Sequence, residues 1–308
     1  MERGKVVRLG TRGSALARRQ AELVRQALIA AVPDLCVTVS VIETPGDHNQ
    51  DQPVSRIGDK GVFVRAIECA LLDGSIDLAV HSLKDVPSDV EDPELSLAAF
   101  STRADPRDVI ISRDGRRLRE LPPGATVGTG SPRRRAQLRE ARLDLEALNI
   151  RGNVDTRLRK LDEGQYDAIV LAAAGLHRLG LESRITEYLP VTSWLPDAGQ
   201  GIMVVQGRAG DEAVEIAGAI DCPESRLAAL AERAVARALH ADCHSPIGAL
   251  ARVEGGQLRL DAVAASDDLG SLHRQAGAGP AEQAVSIGLA VGTRLAESLG
   301  RTDVYTGP

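Results

Sequence analysis

Gly128-Thr129-Gly130-Ser131-Pro132 follows a short apolar strand and opens a helix-forming run, repeating a pattern set near the start of the chain by Gly10-Thr11-Arg12-Gly13-Ser14. In both stretches a serine stands where a helix N-cap belongs, and Pro132 suits a first helical turn. Two strand-turn-helix starts of one kind predict two similar α/β lobes. Each start reads either as an anion site, built from backbone N–H groups, a serine hydroxyl and the positive helix end, or as a plain helix cap. Neither matches G-x-x-x-x-G-K-[ST], so no nucleotide site follows from them.

Working outward, residues 6–10 read as a strand and 14–30 as an amphipathic helix with Leu16, Leu23, Val24, Ala27 and Leu28 along one side. Residues 35–43 read as a strand, 61–72 as a helix and 76–80 as a third strand, which is the doubly wound α/β pattern. A second unit of the same type starts near residue 105, with strands at 108–112, 126–128 and 167–172 and a helix at 133–141. Residues 202–206 read as a strand returning to the first lobe. The remainder reads as a smaller α+β domain: a helix at 222–239, a hairpin of 247–253 and 258–266 through Gly255-Gly256, and a final helix at 282–299. The segment 44–60, rich in Pro and Gly, reads either as a lid or as a passive surface loop.

Composition narrows the partners. The chain has 308 residues, 43% of them hydrophobic, enough for two or three domains. Its first ten residues hold no apolar signal core and no apolar run is long enough to span a bilayer, so a cytoplasmic, non-membrane protein is the expectation. Cys36, Cys69, Cys222 and Cys243 show no C-x-x-C spacing, which argues against a disulfide framework and against a metal site. The net charge is −6, yet residues 113–160 hold thirteen basic side chains against six acidic ones. With only 2% aromatic residues and no DNA-binding motif, that basic stretch suits a small polyanion better than nucleic acid.

Residues 76–87, Ile-Asp-Leu-Ala-Val-His-Ser-Leu-Lys-Asp-Val-Pro, bring an apolar strand to an abrupt end at Lys84-Asp85. Groups just past the carboxyl end of a buried strand are well placed for chemistry, and here a proton-transfer carboxylate stands beside a cation. Only four lysines, Lys5, Lys60, Lys84 and Lys160, accompany the arginines, so each one invites a reason. Ser131, Arg133, Arg134, Arg135, Arg151 and Arg157 gather at helix starts and strand ends, and converging guanidinium forks suit a ligand with several carboxylates. Arg139 and Arg142 read instead as a solvated helix face. Cys36 reads as packing within a strand. Cys243, in a loop between His240 and His244, is either a reactive or attachment thiol or a passive cysteine.

Together these segments resemble the porphobilinogen deaminase (hydroxymethylbilane synthase) family over nearly the whole chain. The resemblance is carried by Gly10-Thr11-Arg12-Gly13-Ser14, Gly58-Asp59-Lys60-Gly61-Val62-Phe63, His81-Ser82-Leu83-Lys84-Asp85-Val86-Pro87 and Gly128-Thr129-Gly130-Ser131-Pro132-Arg133-Arg134. Arg151-Gly152-Asn153-Val154-Asp155-Thr156-Arg157-Leu158, Gly175-Leu176, Arg178-Leu179-Gly180, Gly199-Gln200-Gly201 and Asp242-Cys243-His244-Ser245-Pro246-Ile247-Gly248 continue it. Pro132 stands where the family often has leucine, and Ala241-Asp242 where two glycines are frequent.

The resemblance implies two doubly wound lobes like those of type II periplasmic binding proteins, with the active site in their cleft, plus a smaller α+β C-terminal domain. The expected boundaries are 1–100 with 200–219 for the first lobe, 105–195 for the second and 222–308 for the third domain. It further implies a dipyrromethane cofactor joined through a thioether to Cys243, and Asp85 as the catalytic carboxylate facing pyrrole N–H groups. Arg12, Ser14, Lys60, Lys84, Ser131, Arg133, Arg134, Arg151, Arg157, Arg178 and Gln200 are the implied cofactor- and substrate-binding residues. The implied reaction adds four porphobilinogen molecules head to tail onto the cofactor with loss of ammonia, then releases hydroxymethylbilane by hydrolysis. A monomer is the family expectation. The other reading is a non-catalytic, two-lobed module that binds a small polyanion, since architecture alone does not fix activity.

Overall fold

The computed structural model describes residues 5–42, 62–88, 92–241, 245–301 and 305. In chain order, β1 (Val6–Arg12), α1 (Ala15–Ala31), β2 (Cys36–Ile42), α2 (Val62–Leu72), β3 (Leu78–Ser82) and β4 (Leu95–Phe100) come first, with a 3-10 turn at Leu83–Asp85 behind β3. Next come β5 (Asp108–Ser112), β6 (Thr126–Gly128), α3 (Pro132–Ala141), β7 (Glu146–Leu148), α4 (Val154–Asp162), β8 (Ala168–Ala172), α5 (Ala173–Leu179) and β9 (Glu187–Tyr188). β10 (Met203–Arg208), α6 (Glu212–Gly218), α7 (Pro223–Ala238), β11 (Ile247–Glu254), β12 (Gln257–Ala265), β13 (Leu272–Pro280) and α8 (Ala284–Ser298) follow. The chain divides into two compact units, 1–103 with 202–226 and 104–201 with 227–308.

Each unit holds a five-stranded sheet, and both sheets follow one plan. In the first unit the order is β2-β1-β3-β10-β4, with β1 parallel to β2 and β3, and β10 antiparallel to β3 and β4. In the second it is β7-β6-β8-β5-β9, with β6 parallel to β7 and β8, and β5 antiparallel to β8 and β9. The reversed strand in each sheet is the first one after the chain passes from one unit to the other: β5 after residue 104, and β10 where the chain returns to the first unit at residue 202. This is the two-lobed α/β architecture that the repeated strand-turn-helix starts predict.

Helix faces follow from the apolar spacing. Ser14 Oγ accepts the Ala17 N–H (3.2 Å) to cap α1, which turns Ala21, Val24 and Leu28 onto Val7, Leu9, Leu78 and Val80. α2 lays Ile67, Ala70 and Leu71 on Ile76 and Ala79. In the second unit, alternation along the strands splits the core in two. Ile110, Val127 and Val170 meet Leu138 and Trp194, whereas Val109, Ile111, Ile169 and Leu171 meet Leu158, Leu161 and Leu176.

The third sheet, β11-β12-β13, contains one strand beyond the expected hairpin. β13 packs under α8, where a Cβ on Gly277 would come within 2.7 Å of Val291 and one on Gly279 within 3.2 Å of Ile287. This sheet shares a unit with the second lobe: α3 lies against β12 and β13, Arg274 makes a forked pair with Glu140 (2.7 and 2.5 Å), and Leu195 packs with Leu250 and Val263. Two readings of single residues change. Cys36, at the first position of β2, is exposed rather than packed, because Val37 takes the inward face. Arg142 is no solvated residue: its guanidinium donates to Leu118 O and Leu121 O (2.8 Å each) and pairs with Asp144, tying off the end of α3.

Close approach of α7 and α8 depends on two glycines one turn apart. A Cβ at Gly288 would collide with Ala231 O and sit 2.6 Å from Ala234 Cβ, and one at Gly292 would sit 2.5 Å from Ala238 Cβ. Backbone cannot give way as a side-chain tip can. Gly288→Val is therefore expected to lower stability by about 2–3 kcal/mol through overpacking, read as a drop in the thermal midpoint of the C-terminal part. An unchanged midpoint would show that the two helices can separate without cost.

Candidate functional site

In the first unit the carboxyl ends of β1 and β3 lie side by side, since the strands are parallel and Gly10 pairs with Ala79. β1 delivers Arg12 and then Ser14, and β3 delivers Ser82 and then the Leu83–Asp85 turn. Gln20 of α1 ties the two ends together by donating from Nε2 to Ser82 Oγ (2.8 Å). Apolar residues pin the turn on both sides: Leu83 is 1% exposed, its N–H bonds to Ile202 O (3.0 Å), and the N–H of buried Val86 bonds back to Leu83 O (3.0 Å). Lys84 is thereby left half-buried and Asp85 exposed at the tip. The strand runs two residues later than expected, so Ser82, not Val80, is its last residue.

His81 lies behind that turn, 6% exposed, with no hydrogen-bond partner for Nε2 among the described residues. Burial lowers its pKa from 6.5 to about 4, with Gln206 opposing and the charge of Arg12 adding to the shift. The unfolded chain takes up this proton near pH 6.5 and the folded chain only near 4, so the unfolded state binds more protons in between. Stability therefore falls as pH drops through that window, by about 3 kcal/mol at pH 4. Denaturant titrations near pH 7 and pH 4 should show this loss, and His81→Gln should lack it; an equal loss in the variant would place the titrating group elsewhere.

In the second unit Ser131 caps α3, accepting the Arg134 N–H at 3.4 Å, with Pro132 as the first helical residue. Gly152, with φ of 109°, turns the chain into α4 and leaves Asn153 at the N-cap without a side-chain cap. Around this turn the cations collect: Arg157 Nε donates to Gly152 O (2.7 Å), Lys160 Nζ donates to Arg151 O (3.3 Å), and Arg151 itself is half-buried. Arg178, in the last turn of α5, donates to Gly201 O (2.7 Å). Burial lowers its pKa to about 10, which leaves it a cation at neutral pH and makes an anionic partner favourable.

Arg133 and Arg134 point inward, 2% and 6% exposed, onto Asp108, which is fully buried at the start of β5. Asp108 Oδ2 accepts Arg133 Nη1 (2.9 Å), Arg134 Nε (3.1 Å) and Trp194 Nε1 (2.9 Å), and Oδ1 accepts Arg134 Nη2 (2.7 Å) and Gln200 Nε2 (2.9 Å). Burial alone would raise this carboxyl, but the charges of both arginines, with hydrogen bonds from Arg134 and Gln200, overturn that and hold it far below the usual carboxylate range. Neither Asp108 nor Trp194 stands out in the sequence. Asp108 heads the apolar run Val109-Ile110-Ile111, but its partners lie 25 to 92 positions away.

The family model for the dipyrromethane cofactor binding domain of porphobilinogen deaminase matches residues 7–216, and that for the porphobilinogen deaminase C-terminal domain matches residues 226–297. This chain belongs to the porphobilinogen deaminase family. It is similar to the porphobilinogen deaminase of Roseiflexus castenholzii, 49% identical over 95% of this chain and 96% of that one, and to that of Syntrophobacter fumaroxidans, 46% identical over 96% of each. Among solved structures it is similar to the periplasmic VFT2 domain of Bordetella pertussis BvgS, 18% identical over 70% of this chain and 86% of that one, with a TM-score of 0.43.

As a porphobilinogen deaminase the chain has a cofactor domain for dipyrromethane, whose pyrroles carry acetate and propionate groups. Each unit has half-buried cations of the kind that bind carboxylates, Arg12 and Lys84 in the first and Arg151, Arg157 and Arg178 in the second, and one capping serine, Ser14 or Ser131. Arg133, Arg134 and Gln200 meet at Asp108. Lys60, Cys243 and the 44–60 segment lie outside the described residues. No described helix is long and apolar enough to cross a membrane.

Proposed function

We propose that this protein is the hydroxymethylbilane synthase of tetrapyrrole biosynthesis, a transferase that joins four porphobilinogen molecules head to tail. The observation that carries the proposal is the match to both domain models of porphobilinogen deaminase across one chain, with Asp85 exposed at the end of β3. Dipyrromethane, held through Cys243, supplies the pyrrole carbon to which the first substrate unit is joined. Arg12, Lys84, Arg151, Arg157 and Arg178 would hold its acetates and propionates and those of the incoming substrate, with Ser14, Ser131 and Lys60 assisting. Arg133, Arg134 and Gln200, which meet at Asp108, belong to the same proposed binding set.

Asp85 is the catalytic carboxylate in this proposal. Loss of ammonia from the aminomethyl group of porphobilinogen leaves an electron-poor carbon conjugated to a pyrrole N–H. A carboxylate that accepts that N–H stabilises the cationic character as it develops and can take up a proton when the new bond has formed. An ammonium such as Lys84 cannot accept it, so the adjacent pair divides the work between proton handling and carboxylate binding.

Intact-mass measurement on the purified chain tests the whole reading. The protein should be heavier than its sequence by one dipyrromethane, and brief exposure to porphobilinogen should produce a ladder of added units with one ammonia released per unit. Active protein with the unmodified sequence mass would overturn the proposal, and saturable binding without ammonia release would favour the polyanion-binding module.

A further inference from the structure

Residues 197–201 close the first segment of the second unit, and five groups grip them: Glu232, Pro106 O, Asp108, Arg178 and the Ala104 N–H. Glu232, fully buried on α7, accepts the Gly199 N–H at Oε2 (2.6 Å) and, at Oε1, the Ala251 N–H of β11 (2.7 Å). Gln200, 1% exposed, donates its Nε2 to Pro106 O (2.7 Å) and to Asp108 Oδ1 (2.9 Å). Gly201 O accepts Arg178 Nη2 (2.7 Å) and the Ala104 N–H (3.1 Å). Gly199 and Gly201 adopt φ of 77° and 91°, a region a side-chain-bearing residue occupies only with strain, so the turn conformation depends on glycine at both places.

Two buried carboxylates thus hold one turn. Asp108 ties it to the first turn of α3 through Arg133 and Arg134, and Glu232 ties it to α7 and β11, the elements flanking the segment that contains Cys243. We infer that Asp108 and Glu232 are positioning residues for this enzyme: they clamp the 197–201 turn and, through it, set the placement of Arg178 and Gln200. The inference rests on the proposed function. Neither acid touches substrate in it; both act through the turn.

The oxygens leave no room for a neutral isostere. In Asp108→Asn, whichever way the amide is turned, its NH2 faces at least two donors, and in Glu232→Gln it faces the backbone N–H of Gly199 or of Ala251. Each variant should fold and carry the dipyrromethane mass. Each should lower kcat about tenfold or more with KM changed less, because a shift of about 1 Å in a ligand-holding arginine is enough for that. Amide exchange over residues 197–203 should accelerate in both. The double variant should lose little more than the worse single one, since both break the same clamp. Trp194→Phe removes one donor to Asp108 while leaving a smaller aromatic ring in the core, and it should lower kcat in the same sense, which keeps the idea testable if Asp108→Asn does not fold.

The inference is overturned if folded, cofactor-loaded Glu232→Gln and Trp194→Phe keep kcat within about twofold of the unmodified enzyme, or if exchange at 197–203 is unchanged. Absence of ammonia release by the unmodified protein would instead overturn the functional reading beneath it.

Discussion

Asp85→Asn is expected to give a folded protein whose turnover is reduced by about 10²- to 10⁴-fold, the range a positioned acid or base commonly supplies. The fold should survive because Asp85 contributes no core: it is the exposed tip of a turn pinned by Leu83 and Val86, and both remain. The amide keeps the shape of the carboxylate but not its charge. It can neither balance the cationic character that accompanies loss of ammonia nor receive a proton, and its neutral oxygen is a weaker acceptor for the pyrrole N–H. Since the missing interaction is one that strengthens in the transition state, kcat should fall while KM moves little. Single-turnover assays of ammonia release, with circular dichroism to confirm folding, read both quantities. A near-native rate would remove Asp85 from the chemistry and leave Lys84-Asp85 as a binding pair.

The features legible in the sequence are those whose cause is local. Ser14 and Ser131 announce helix starts because a cap needs one side chain and the three residues after it, and both do cap. The strand-helix alternation marks both lobes because burial on two faces leaves apolar runs such as Ala168–Ala172. β13 is illegible for the same reason in reverse: Leu272–Pro280 holds four small residues, Ala276 to Gly279, and no β-branched one, and it is a strand because α8 presses on its glycines. Asp108 collects partners 25 to 92 positions away, so nothing near it in sequence marks it as the point where two arginines, a tryptophan and a glutamine meet. The basic stretch was legible as charge but not as function. Arg142 ends a helix, Arg133 and Arg134 neutralise a buried acid, and Arg151 and Arg157 surround a turn. Only tertiary partners separate these roles.

Cys243→Ser should yield a chain with its bare sequence mass, no coloured pyrrole reaction in acidic aldehyde and no ammonia release above background. A cysteine can react as a strongly nucleophilic thiolate. A serine hydroxyl offers no comparable anion there, so no bond to the electron-poor carbon of the forming cofactor is made. The change in volume is small, and the variant should fold. It should nevertheless melt below the unmodified protein, because Arg151 and Arg157, at the turn into α4, would lose the carboxylates that the proposed cofactor adds to their surroundings. Sulfate or phosphate should narrow that difference more than chloride at equal ionic strength, since a multivalent oxyanion can take the place of a carboxylate whereas screening alone treats all salts alike. A dipyrromethane mass on Cys243→Ser would move the attachment point to another residue, with Cys36, Cys69 and Cys222 the thiols to test next.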